Sequence, residues 1–239
     1  MDSDSTLLTI KDPVECIIIK RLNRFVVEVS YKGKKRRAYI NNTGRLHEYL
    51  VPGRKAFCQK KNNTGKTDYR LFAVEDMGKG ALIDTLYQMK AFENAVNKNL
   101  IPWLKGCRII GRNPRLASSI LDFLLECNGS LVYVETKSAV LRGDHVYAMY
   151  PDCPTLRGRR HILELTEHVS KGGKGILIFV AALPGVKFFI PYREGDPVLT
   201  DILRESVKKG LPVKGIALHY EPGPSIVVLD NPNLKVVVT

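Results

Sequence analysis

Over the first 83 residues, apolar and polar positions alternate in short runs. VECIIIK (14–20), FVVEVSY (25–31), KRRAYI (35–40), RKAFCQK (54–60) and YRLFAVED (69–76) are rich in β-branched and aromatic residues, the composition of strands. Turn chemistry separates them at Lys32-Gly33-Lys34, Asn42-Thr43-Gly44, Pro52-Gly53 and Asn62-Asn63-Thr64-Gly65. Five short strands in such a short stretch predict a small closed barrel of the OB type. From about residue 84 the period lengthens. Leu86, Met89, Phe92 and Val96 recur at helical spacing within 85–99, and segments 155–171 and 198–210 also read as helices. Between these lie the strand-like runs LASSILDFLLEC, SLVYVETK, GILIFVAAL (175–183), VKFFIPY (186–192) and VKGIALHY (213–220). Helices alternating with apolar strands indicate an α/β domain around a mostly buried mixed sheet. The expected organisation is a barrel over 1–83 and an α/β domain over 84–239, α+β overall.

The most informative run is Leu121 to Lys137. Asn128-Gly129 is a strong signal for a two-residue type I′ hairpin turn. If it closes the hairpin, Cys127 faces Ser130, and counting outward sets Asp122 opposite Glu135. Their Cβ atoms would then lie roughly 4.5–5.5 Å apart on one face. Strand alternation puts Lys137 on that face too. Facing carboxylates repel unless a raised pKa, a cation or a metal compensates. Such an oxygen pair suits Mg²⁺ or Mn²⁺, with water and a substrate phosphate completing the shell. Lys137 could polarise or deprotonate the attacking water, or stabilise charge on the phosphorane. The competing reading is a surface hairpin whose carboxylates pair with Lys137 or a nearby arginine. Asp followed by Glu-x-Lys on the next strand matches the PD-(D/E)XK nuclease signature. In the helix 155–171, Arg157, His161, Glu164 and His168 form one stripe, with Leu156, Ile162, Leu163, Leu165, Thr166 and Val169 on the opposite arc. The stripe faces either the scissile phosphate or solvent.

Charge adds a partner. The net charge is +13. Residues 1–83 hold 17 Lys+Arg against 9 Asp+Glu, and 84–239 hold 20 against 15, so the barrel carries most of the excess. A polyanion is the natural partner, because neutralising phosphates releases counterions. Arg24, Lys34, Lys35, Arg36, Arg37 and Arg45, interleaved with Phe25, Tyr31 and Tyr39, are the candidate nucleic-acid contacts, for DNA or alternatively RNA. No apolar run approaches the ~20 residues that span a bilayer, and MDSDSTLLTIKD lacks a signal pattern. The expectation is a cytoplasmic protein with no membrane partner. The five cysteines are scattered without a CxxC pair, so they are expected to be reduced and mostly buried.

A resemblance sharpens this picture. FVVEV (25–29), NTGRL (42–46), LVPG (50–53), LDFLL (121–125), YVETK (133–137) and PDCPTLRGRRHILEL (151–165) fall in the order seen in the sugar fermentation stimulation protein A (SfsA) family, which the chain resembles from about residue 15 to 230. The resemblance implies an OB-like barrel joined to a PD-(D/E)XK nuclease-like domain and a DNA-binding role. It implies that Arg157, His161 and Glu164 wall the site, and it adds Asp152 as a candidate. The chain departs from the family pattern at Ile120, where an arginine is usual, at Ser138, where an asparagine is usual, and at Asn94, where a glutamate is usual and Glu93 stands adjacent.

Overall fold

The structure, a computed structural model, describes residues 5–61 and 65–238. The expected turn at 62–64 lies outside the described residues. The barrel strands are β2 (Pro13–Asn23), β3 (Val26–Tyr31), β4 (Lys34–Tyr39), β5 (Lys55–Lys60) and β6 (Tyr69–Asp76), preceded by β1 (Thr6–Thr9). β7 (Lys79–Leu82) leads into α1 (Thr85–Asn97). There follow β8 (Cys107–Arg112), the short hairpin β9 (Arg115–Leu116) and β10 (Ser119–Ile120), β11 (Phe123–Cys127) and β12 (Ser130–Ala139). Next come β13 (Leu141–Gly143), β14 (Tyr147–Tyr150) and α2 (Leu156–Ser170). β15 (Gly175–Ala181), β16 (Phe188–Pro191), α3 (Pro197–Lys208), β17 (Val213–Glu221) and β18 (Ile226–Val236) complete the chain.

The five expected barrel strands close on themselves. β2 pairs β3, β3 pairs β4, β4 pairs β6 in parallel, β6 pairs β5, and β5 returns to β2. This ring is the OB arrangement. Its interior is filled by Ile18, Val27, Val29, Ala38, Ala56 and Leu71, all essentially buried. Alternation along each strand sends these side chains inward and their polar neighbours outward. β6 meets β4 only at Ala38 and Tyr39. The rest of β4 is therefore an edge strand on β3, which itself pairs with β2 as far as Ser30, and Lys34, Lys35, Arg36 and Arg37 are all exposed on this hairpin arm. The arm ends in a tight turn at Lys32-Gly33, both with positive φ, as a type I′ turn requires.

The second domain is a mixed sheet. β8–β11–β12 run antiparallel, β12–β15–β17 parallel, and β18 antiparallel to β17. β7 joins it to the barrel, with Gly80 opposite Tyr220. A Cβ at Gly80 would lie 2.8 Å from the Tyr220 ring, so the junction needs glycine there. α1 packs Phe92 against Phe123 with ring centroids 5.4 Å apart. α2 reaches Glu135, whose side chain points to the other face. The sheet is thus covered on both sides, as its continuous apolar strands require. α2 starts at Thr155, whose Oγ1 accepts the Gly158 N–H at 3.0 Å. Asp196, the cap of α3, accepts Thr155 N at 3.0 Å and an Arg159 guanidinium nitrogen at 2.7 Å, fixing the start of α2 over the sheet.

Two expectations are corrected. Cys107 and Cys127 form a disulfide, because β8 is a strand and its register sets them face to face. Cys16 and Cys58 are buried free thiols, and Cys153 is half-buried. On α2, Leu156 and Leu163 are 77% and 50% exposed, so the apolar arc is narrower than its sequence suggests. Among the described residues, no helix is long and apolar enough to cross a membrane.

Candidate active site

The β11–β12 hairpin has the expected register. Cys127 pairs with Ser130 and Phe123 with Val134. Asn128 and Gly129 both have positive φ, which is what a type I′ turn needs and what Gly supplies without strain. One step beyond the ladder, Asp122 donates its N–H to Val134 O at 3.2 Å. The Asp122 carboxylate turns toward the backbone of β12. Its Oδ2 accepts Thr136 N at 2.7 Å and Thr136 Oγ1 at 2.6 Å.

Glu135 is 2% exposed. Its Oε1 accepts Lys137 Nζ and the Nδ1–H of His161, the latter at 2.7 Å. Its Oε2 is buried and has no partner among the described residues. Arg157 Nε donates to His161 Nε2 at 3.3 Å. That bond makes Nε2 an acceptor and directs the Nδ1–H at Glu135.

The charges interlock. Burial pushes the Asp122 carboxyl above its ordinary pKa, and the Glu135 charge adds to this against the Thr136 bonds. Burial also works against ionised Glu135, but Lys137 and His161 outweigh it and hold the carboxyl below the usual range. Lys137 is likewise opposed by burial and is kept above its ordinary value mainly by Glu135. A lysine held charged in this way is a poor base, so of its expected roles the electrostatic one remains. Tyr150, whose phenol is raised by burial and feels Lys137 and Glu135, stands beside the cluster. Sequence reasoning missed it, although it directly precedes the PDCPTLRG run. Thr136, which sets the Asp122 carboxylate, lay in plain view inside Glu-x-Lys.

The predicted residues divide into groups. Asp122, Glu135, Lys137, His161 and Arg157 come together. Glu164 is turned elsewhere: it accepts Ser118 Oγ and the Ser119 N–H, the latter at 2.9 Å, and so anchors the β9–β10 hairpin. His168 lies edge-on to Tyr133 with centroids 5.1 Å apart. Asp152 accepts the Leu46 N–H at 3.0 Å and ties the barrel to the second domain. Glu93 is ion-paired with Arg112 at 2.5 Å, while Asn94 bonds Leu7 O at 2.7 Å. Ile120 is 47% exposed opposite Arg115. Arg24 and Arg45 are exposed at the barrel end facing Cys153, whose thiol feels both charges. The β3–β4 arm lies at the other end of β3, roughly 17 Å away at ~3.3 Å per residue.

Among the described residues, no three His, Cys, Asp or Glu side chains converge as a ready-made ligand set. Two carboxylates still fit Mg²⁺ or Mn²⁺, which keep several waters and use substrate phosphate as ligand. The buried, unpartnered Oε2 of Glu135 is the observation that supports the fit, since a buried anionic oxygen without a partner is costly.

Residues 19–83 match the model of the SfsA N-terminal OB domain, and residues 86–224 match that of the sugar fermentation stimulation protein RE domain. A sugar fermentation stimulation protein homolog of Pyrococcus furiosus is 48% identical over 215 residues, covering 90% of this chain and 93% of the relative. One from Archaeoglobus fulgidus is 47% identical over 232 residues, covering 97% and 99%. A solved structure of Pyrococcus furiosus SfsA in complex with Ca²⁺ superposes with a TM-score of 0.93 at 45% identity, covering 98% of this chain and 99% of that one.

Proposed function

The chain belongs to the sugar fermentation stimulation protein family, and from that premise we propose that it binds DNA and hydrolyses phosphodiester bonds with a divalent metal at Asp122 and Glu135. One observation carries this reading. Glu135 commits Oε1 to Lys137 and His161 and keeps Oε2 buried and unpartnered, beside a second carboxylate whose ionisation is penalised. A pair of this kind is relieved by a cation. That Pyrococcus furiosus SfsA was solved with Ca²⁺, a hard oxygen-seeking ion, supports a divalent ligand here.

When bound, Mg²⁺ or Mn²⁺ would supply Lewis-acid charge at the scissile phosphate. Lys137, held cationic, stabilises negative charge that develops on the phosphoryl oxygens. His161 donates to Glu135 and fixes that carboxylate's direction, as outer partners of metal ligands do. Arg157, exposed at the start of α2, offers a guanidinium to the incoming phosphate. The arm residues Lys34, Lys35, Arg36 and Arg37, with Arg24 and Arg45, bind the backbone of the nucleic acid.

Purified protein is expected to cut plasmid or single-stranded DNA with Mg²⁺ or Mn²⁺, and Asp122→Ala to abolish cutting. Equal cutting by wild type and variant would contradict the proposal. The second reading is a DNA-binding regulator without turnover. The departures at Ile120, Ser138 and Asn94 favour it. It predicts salt-steep DNA binding with no metal-dependent cleavage.

A further inference from the structure

A cavity of about 230 Å³ lies where the barrel meets the second domain. Arg24 and the Asn42–Gly44 loop form one wall, and Ser138, Val140, Met149, Tyr150 and Thr155 form the other. The walls are locked together. Within the barrel wall the Arg21 guanidinium braces the loop through Gly44 O at 2.7 Å and Arg45 O at 2.8 Å, and across the junction Asp152 takes the Leu46 N–H. A Cβ at Gly44 would sit 2.8 Å from an Asp152 oxygen, so the closure requires glycine. The pocket is therefore preformed rather than a gap between loose parts.

Its lining mixes apolar surface with hydrogen-bonding groups. The Oγ of Ser138 is buried and unpartnered among the described residues, and Tyr150 links the cavity to the charges of Lys137 and Glu135. The volume falls below the ~300–1,000 Å³ of sites for drug-sized ligands and admits one ring system, not a base pair. Arg24 and Arg45 stand near its rim.

Resting on the proposed nuclease reading, we infer that this pocket holds one unpaired nucleotide next to the scissile phosphate, so that the substrate is single-stranded or locally unpaired nucleic acid. The base enters between Met149 and the Thr43 loop, and its phosphate meets Arg24. A duplex must surrender a stacked base to use the pocket, and single strands do not.

The test measures anisotropy of a labelled single-stranded 20-mer and of its blunt duplex in EDTA, at one salt concentration. Wild type should bind the single strand about tenfold more tightly, the scale of one base's contacts. Thr43→Trp, which fills the cavity from an exposed loop, should bring the single strand to the duplex value while leaving the duplex unchanged. Equal wild-type affinities, or a Thr43→Trp protein that keeps the preference, would overturn the inference. The wild-type ratio needs no variant to fold. Binding and metal-dependent cutting with no strand preference would remove this inference alone, whereas no DNA binding at all would remove the proposed function with it.

Discussion

Replacing Glu135 by Gln removes the main negative charge that holds Lys137 and the carboxylate that His161 bonds. The Lys137 side chain is 11% exposed and that of Glu135 is 3% exposed, so the lysine would be left as a buried charge without its main counterion. Breaking a buried pair from one side costs about 3–5 kcal/mol. Asp122 also attracts Lys137, and the loss of its repulsion with Glu135 offsets part of the cost, so about 3 kcal/mol is expected. For a chain of this length that lowers Tm by roughly 6–12 °C. Glu135→Gln/Lys137→Met, which buries no unpaired ammonium, should recover part of the loss. The pH dependence has a defined sign. Glu135 is lowered and Lys137 raised in the fold, so their contribution is full above the ordinary carboxylate pKa and below the ordinary lysine pKa. The gap between wild type and Glu135→Gln should be widest between roughly pH 5 and pH 10 and should narrow on both sides. Calorimetry of metal-free protein across that range is the assay. A Glu135→Gln variant as stable as wild type at pH 7, or one no worse than Glu205→Gln on the exposed face of α3, would mean that Glu135 is not the main counterion of Lys137.

Asp122 gives the opposite sign: its pKa is raised in the fold, so its ionisation destabilises the metal-free protein. Asp122→Asn should raise Tm at neutral pH, with the gain vanishing as pH falls below about 4, and a constant gain at all pH would contradict this. Changing Lys34, Lys35, Arg36 and Arg37 to Ala should weaken DNA binding for every sequence and flatten the log K against log salt slope by about 0.9 per lost phosphate contact; an unchanged slope would remove the arm from the interface. Cys107→Ser opens a loop with a sequence separation of 20 residues, worth about 3 kcal/mol. Reducing agent should therefore lower the Tm of wild type and leave the variant unmoved.

The hairpin of the site was legible because one dipeptide fixes it. Asn128-Gly129 dictates the turn, the turn dictates the register, and the register puts Glu135 and Asp122 within electrostatic reach. The barrel strands were legible from alternation, since half of each faces a closed core. What the residues could not show was long-range pairing. β8 is an edge strand that alternates half-buried and exposed positions, so it carries no apolar run, and without it the Cys107–Cys127 bond has no basis. β18 contains Asn231 and Pro232, which interrupt its apolar run, and it is held as a strand by β17 and β1 on either side. Glu164 shared a helical stripe with His161, yet one turn of helix carried it to the Ser118–Ser119 hairpin instead. The contact between His161 and Glu135, by contrast, needs the crossing of α2 over β12, which no spacing within either element specifies.

Whether Asp122 and Glu135 share a divalent ion is read out by anomalous diffraction from crystals soaked in Mn²⁺. A manganese peak is expected in direct contact with a carboxylate oxygen of Asp122 and with Oε2 of Glu135, with no such peak in Asp122→Asn crystals. Manganese bound only elsewhere, or absent from this site at saturating concentration, would contradict it.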